Sequence, residues 1–141
     1  MRGCLQHDEN DCGLACILSI CKFLKIRVDE MMLRKNIFLG NDGLSLYGIT
    51  EVFRTIGIKS LAVEGTNIEL YSLLLEKKKP IIIMINEDNE YHYVVLYKIN
   101  NREVFLWDPN KGKRVITKEY FDLIWSSYAV IITEISEKSI V

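Results

Sequence analysis

The hydrophobic pattern divides the chain into two textures. From Cys12 to Leu24 nearly every residue is apolar, which predicts a buried helix, and Asp11 precedes it as an N-cap whose carboxylate can accept from the unpaired amides of the first turn. Asp29 can cap a short helix over Glu30 to Lys35. Ser45 starts another that reaches Ile56 and stops at Gly57, and Asn67 precedes a helix of about Ile68 to Lys77. A short strand, Lys59 to Glu64, separates these last two helices. After Pro80 the pattern changes: Ile81 to Asn86, Tyr91 to Ile99, Glu103 to Trp107 and Lys113 to Thr117 are short runs rich in strand-forming residues, punctuated by turn residues. A helix from Lys118 to Trp125 interrupts them, and Tyr128 to Ile135 returns as a final, largely buried strand.

Helices first and strands second predict an α+β fold, an N-terminal helical part packed in two layers on a C-terminal antiparallel sheet, with room for a cleft between them. No Pro/Ser-rich linker, repeat or low-complexity tract divides the 141 residues, so 1–141 reads as one domain.

With 49% apolar residues the chain can build a real core, which excludes disorder. A net charge of -1, from 18 basic and 19 acidic residues, leaves no electrostatic footprint for nucleic acid. The aliphatic run Ile81 to Ile85 is far below the ~20 residues needed to cross a bilayer, and Met1-Arg2-Gly3 leads into polar sequence instead of a signal peptide. The chain therefore reads as not exported. Its four cysteines, Cys4, Cys12, Cys16 and Cys21, are then expected to be reduced thiols.

Cys12 stands where chemistry is easiest. A thiol at a helix N-terminus feels the partial positive charge of the unpaired amides, which stabilises the thiolate. Gly13 beside it lets a substrate backbone approach, while Asp11 adds an opposing negative charge unless capping engages it. The alternative for any such cysteine is a small core residue, and Cys16 and Cys21, among Leu14, Ile17, Leu18 and Ile20, read that way. A metal site from Cys4, His7, Cys12 and Cys16 matches no usual zinc spacing, so no metal or other cofactor is expected.

The chain has two histidines, His7 and His92. His92 lies in Tyr91-His92-Tyr93-Val94-Val95-Leu96-Tyr97, where alternation places it with Val94 and Leu96 on an apolar face that calls for a partner. Asp108 closes the next strand, held extended by Pro109. If Ile99 pairs with Glu103, Val94 lies opposite Asp108, and His92 and Asp108 become diagonal neighbours on one face. A two-residue Asn100-Asn101 turn would put them on opposite faces. The pairing therefore predicts an odd-length loop or a compensating bulge. His7 sits in a polar loop with no strand to hold it. Gln6, on the same loop, carries a neutral amide NH₂ suited to donate to an oxyanion.

Gln6, then Asp11-Cys12-Gly13-Leu14-Ala15, then His92-Tyr93-Val94-Val95, then Asp108-Pro109 with Gly112, and finally Phe121 with Trp125, resembles the peptidase domain of bacteriocin- and lantibiotic-processing ABC transporters. Gly43 with Ser45 and the Ile56-Gly57 helix end fit as well, so the likeness covers nearly the whole chain. It implies a papain-like fold and a cysteine peptidase. Cys12 would be the nucleophile, His92 the general base and then acid, Asp108 its orienting partner and Gln6 the oxyanion-hole donor. The implied substrate is a ribosomally made precursor peptide whose amphipathic helical leader is cut off after a Gly-Gly or Gly-Ala pair before export. The implied partners are membrane-spanning and ATP-binding transporter domains on the cytoplasmic side of the bacterial membrane. These are not in the sequence, which has no Gly-Lys-Ser/Thr phosphate loop. On this reading 1–141 is either the N-terminal domain of a longer transporter, for which Ser136 to Val141 suits a linker, or a stand-alone peptidase. Two rival readings are a leader-docking module without catalysis and a different thiol acyl-transfer enzyme on the same fold. The substrate-binding residues are not legible.

Overall fold

A computed structural model describes residues 2–5, 11–36 and 43–136. Three helices come first: α1 (Cys12–Phe23), α2 (Glu30–Asn36) and α3 (Leu46–Thr55). Strand β1 (Ile58–Glu64) and helix α4 (Asn67–Lys77) follow. Next are β2 (Ile81–Glu87), β3 (Glu90–Ile99), β4 (Glu103–Asp108) and β5 (Gly112–Thr117), and α5 (Lys118–Ile124) leads directly into β6 (Trp125–Ile135). The expected elements are all present, with β6 starting at Trp125 instead of Tyr128.

The helix starts show which local signals prevailed. The Ser45 hydroxyl accepts from the Gly48 amide at 2.9 Å, and α3 ends where Gly57 takes φ 83°. The cap of α4 is Thr66 and not Asn67. Thr66 accepts from the Glu69 amide, and the Glu69 carboxylate accepts from the Thr66 amide, a reciprocal box that a Thr-x-x-Glu spacing permits. Asp11 does not cap α1 with its side chain either. Its carboxylate is buried and pairs with Arg34 of α2 at 2.7 Å.

All strand pairs are antiparallel, in the order β1-β6-β2-β3-β4-β5. Strand β1, which the sequence groups with the helices, pairs with β6, so the last strand of the chain lies inside the sheet. Both faces are covered. On one, Leu14, Ile17 and Ile20 of α1 and Ile49 and Phe53 of α3 meet Ile82, Val95, Trp107 and Val130. On the other, Leu70 and Leu74 of α4 and Phe121 and Ile124 of α5 meet Ile83, Val94, Leu96 and Leu106. Two apolar faces explain why β2 and β3 read as nearly continuous hydrophobic runs. The helices α4 and α5 thus add a third layer to the two expected.

The β3–β4 hairpin sets the site. Near its turn Ile99 pairs with Val104 and Lys98 with Phe105. The turn is pinned by the Asn100 side chain, whose oxygen accepts from the amides of Arg102 and Glu103 at 2.9 and 2.7 Å. Between Lys98 and Leu96 the register slips at Tyr97, after which Leu96 pairs with Leu106 and Val95 with Trp107. A bulge, not an odd loop, therefore supplies the extra residue. Continued one step, this register sets Val94 opposite Asp108 and makes His92 its diagonal neighbour.

Candidate active site

The diagonal closes into a contact: His92 Nε2 lies 2.7 Å from Asp108 Oδ1. With Nε2 donating to the carboxylate, Nδ1 is the ring nitrogen left for another partner. Asp108 is 1% exposed, and its oxygens are well supplied with donors. Oδ1 also accepts from the Asn110 amide at 2.8 Å, and Oδ2 from Arg114 at 3.1 Å. Burial pushes this carboxyl up. Hydrogen bonding and charge from His92, with the Asn110 amide and Arg114, outweigh burial and hold it down at about 2.

Cys12 opens α1 and is half-buried. The first turn of the helix packs on β3: a Cβ added at Gly13 would lie 3.3 Å from Leu44 Cβ and 3.4 Å from Tyr93 Cδ2. Glycine here lets α1 seat against β3 and the entry to α3. It does not open space for a substrate backbone, as the sequence suggested. The seating brings Cys12 beside the His92 ring. Burial, the largest single influence on His92, disfavours its charged form. Hydrogen bonding to Asp108 and Cys12 and the charges of both reverse this, raising the imidazole to about 9.

Two ion-pair groups that the sequence did not suggest support this core. Arg114 holds Glu87 with both guanidinium nitrogens, each at 2.9 Å, while its Nη1 also reaches Asp108; the Tyr120 hydroxyl donates to Glu87 as well. Glu87 is held at about 2, first by the Arg114 hydrogen bonds. Arg114 is the diagonal neighbour of Asp108 on β5, since Gly112 pairs with Asp108 and Leu106 with Arg114. At the other side of the site, Arg34 joins Asp11 to Glu30, with Nη2 3.0 Å from Glu30 Oε1.

The structure brings Cys12, His92 and Asp108 together. Gln6 and His7 lie outside the described residues, but the chain leading to them is held: the Ser19 hydroxyl accepts from the Cys4 amide at 2.7 Å, and the Trp107 indole donates to the Cys4 carbonyl at 2.9 Å. Cys16 is fully buried and its thiol is pushed well above the ordinary range by burial, and burial pushes Cys21 up to about 12. Both belong to the core. Among the described residues, no group of three or more His, Cys, Asp and Glu is placed to hold a metal ion.

A thiol at the start of a sheet-packed helix, an imidazole on a central strand and a buried carboxylate beside it define a cysteine peptidase of papain-like architecture. Sequence comparison gives the family: the model of the Peptidase C39 family matches residues 2–137, and the chain belongs to that family. It is 33% identical over 138 residues to the SPbeta prophage-derived sublancin-168-processing and transport ATP-binding protein SunT of Bacillus subtilis, covering 96% of this chain and 19% of that protein. It is 34% identical over 124 residues to the lactococcin-G-processing and transport ATP-binding protein LagD of Lactococcus lactis, covering 86% of this chain and 17% of that one. The chain thus spans less than a fifth of the length of these curated relatives. Its fold matches the peptidase domain of Streptococcus ComA, a bi-functional ABC transporter, with TM-score 0.79, 22% identity and coverage of 94% and 97% of the two chains. It also matches a double glycine motif protease from an AMS/PCAT transporter, solved with a leader peptide, with TM-score 0.75, 24% identity and coverage of 91% and 87%.

Proposed function

We propose that this domain removes the leader from a ribosomally made bacteriocin or lantibiotic precursor by cutting after a Gly-Gly or Gly-Ala pair. Cys12 is the nucleophile, His92 the base and then acid, Asp108 the group that orients it, and Gln6 the oxyanion donor. The observation that carries this reading is the imidazole held between a helix-start thiol and a buried carboxylate with a 2.7 Å contact. An imidazolium beside the sulfur favours the thiolate. The thiolate attacks the carbonyl carbon of the leader's last residue, and the oxyanion is stabilised by Gln6 and the Cys12 amide. His92 passes its proton to the departing amine, leaving a thioester, then takes one from water so that hydroxide releases the leader acid and restores the thiol.

A groove lined mostly by apolar side chains, Leu46, Met84, Tyr91, Trp125 and Tyr128, with Asn86 and Ser126 among them, suits the apolar face of a helical leader. No described helix is long and apolar enough to cross a membrane. We assign the membrane-spanning and ATP-binding work to further domains of a transporter, which would place this domain at the cytoplasmic side of the membrane. A docking module would need neither Cys12 nor His92.

The test uses a precursor with a Gly-Gly junction and a copy with a bulky junction. Cleavage of the first alone, lost in Cys12→Ala with leader binding retained, supports the proposal. Turnover by Cys12→Ala overturns it, and acyl transfer to another acceptor without hydrolysis points to the rival thiol enzyme.

A further inference from the structure

Four side chains that can carry charge stand on one face of four successive strands. Alternation along β2 places Glu87 on the face of Ile85, which pairs with His92 of β3; on β4, Asp108 shares the face of Leu106, which pairs with Arg114 of β5. With the imidazole protonated they form a row of alternating sign. Arg114 Nη1 and Nη2 each donate to Glu87 at 2.9 Å, Nη1 also donates to Asp108 Oδ2 at 3.1 Å, and Asp108 Oδ1 lies 2.7 Å from His92 Nε2. The guanidinium is thus shared unequally: Glu87 takes both terminal nitrogens, and Asp108 receives one longer bond. The side chains of Glu87 and Arg114 are each 15% exposed and that of Asp108 2%, so water screens these charges poorly.

We infer that Glu87 and Arg114 are positioning residues for the base: Arg114 fixes the Asp108 carboxylate through Oδ2 so that Oδ1 faces His92, and Glu87 takes up the guanidinium's charge so that Asp108 keeps its pull on the imidazole. This rests on the reading of His92 as the base. The two residues act on the imidazole with opposite sign. Arg114 without Glu87 would offset the Asp108 charge and disfavour the imidazolium, whereas Glu87 without Arg114 would add an uncompensated negative charge and favour it. The other titratable groups around this row are Lys111 of the β4–β5 turn, 3.9 Å from Glu87 Oε1, Tyr120 of α5, whose hydroxyl donates to Glu87, Asp88, which acts on Tyr120, and Cys12 and Cys16 of α1, which act on or feel His92 and Asp108. Lys111 is the cation among them. At that distance, and half exposed, it cannot replace the fork that Arg114 makes.

The experiment follows the His92 ring by NMR across pH in protein carrying isotope-labelled histidine, with kcat and KM for precursor cleavage measured alongside. The chain has two histidines, so the His92 signal is assigned by its loss in His92→Gln. Wild type is compared with Glu87→Gln, Arg114→Met and Glu87→Gln/Arg114→Met. Glu87→Gln is expected to move the His92 midpoint down by about 0.5–1 pH unit, Arg114→Met to move it up by a similar amount, and the double variant to return it close to wild type. Both single variants are expected to lower kcat by about tenfold with little change in KM. Residues that only brace the fold would weaken stability in both variants and leave the midpoint in place. Midpoints that stay put or move in the same direction overturn the inference, as does a double variant displaced as far as either single one. If Arg114→Met does not fold, Glu87→Gln decides: a lowered midpoint supports the inference, and an unmoved or raised one overturns it. The titration needs no substrate, so a protein that shows the opposite shifts yet leaves the Gly-Gly precursor uncut refutes the peptidase reading and not this coupling.

Discussion

His92 and Asp108 lie on neighbouring strands, one diagonal step apart, and meet at 2.7 Å because the Tyr97 bulge corrects the register of an even turn. The chemistry of the imidazole is set by that step. Asp108 supplies the first of the hydrogen bonds that lift His92 to about 9 against the pull of burial.

The first prediction is a pH profile. An imidazolium persists below about 9 and is lost as pH rises through it, so cleavage should fall on an alkaline limb near 9. Asp108→Asn keeps a hydrogen-bond acceptor but removes the charge, and should move that limb down by about one to two pH units. Stopped-time cleavage across pH checks this; an unmoved limb would separate Asp108 from the function of His92.

Stability should follow the same pair. His92 is raised from 6.5, so its contribution is complete below about 6.5 and disappears as pH rises through about 9. Asp108 is lowered from 3.8, so its contribution is complete above about 3.8 and disappears as pH falls through about 2. Urea unfolding of the wild type should give a plateau from about pH 4 to 6.5 for this pair, flattened in His92→Gln.

Arg114→Met should cost about 2–4 kcal/mol, because it leaves Asp108 Oδ2 without its guanidinium and Glu87 without its strongest partner while both stay largely buried. Arg114→Lys should recover part of this, since an ammonium keeps the charge but cannot reproduce the three guanidinium hydrogen bonds to Glu87 and Asp108. Chemical denaturation checks the order wild type, lysine, methionine.

Gly3→Ala tests the start of the chain. A Cβ there would lie 2.5 Å from Ser19 Oγ and 2.6 Å from Trp107 Nε1, closer than side-chain atoms pack. The overpacking should cost about 1–3 kcal/mol. It should also lower kcat, since the displaced segment leads to Gln6. Thermal unfolding and single-turnover cleavage on the same preparation check both.

Much of this was legible in periodicity and punctuation. Ser45, Gly57 and Pro80 mark boundaries that the chain obeys, and strand alternation with one compensating residue is enough to set His92 diagonal to Asp108. What escaped was the part that depends on distant partners. Asp11 has the local credentials of a cap, yet an arginine 23 residues away in α2 takes its carboxylate. Pairing of β1 with β6 joins segments more than 60 residues apart, for which a seven-residue strand carries no local signal. Glu87, at the end of β2, meets its partner Arg114 only because β5 brings that residue to it from 27 positions further on.

The pleat of β4 has a mechanical consequence. Successive residues point to opposite faces, so Trp107 grips the Cys4 carbonyl on one side while Asp108 grips His92 on the other. The two residues share one peptide unit. Any breathing of the strand carries the tether of the N-terminal segment and the tether of the base in the same stroke, and their relative placement survives motion that would shear a site built on separate loops.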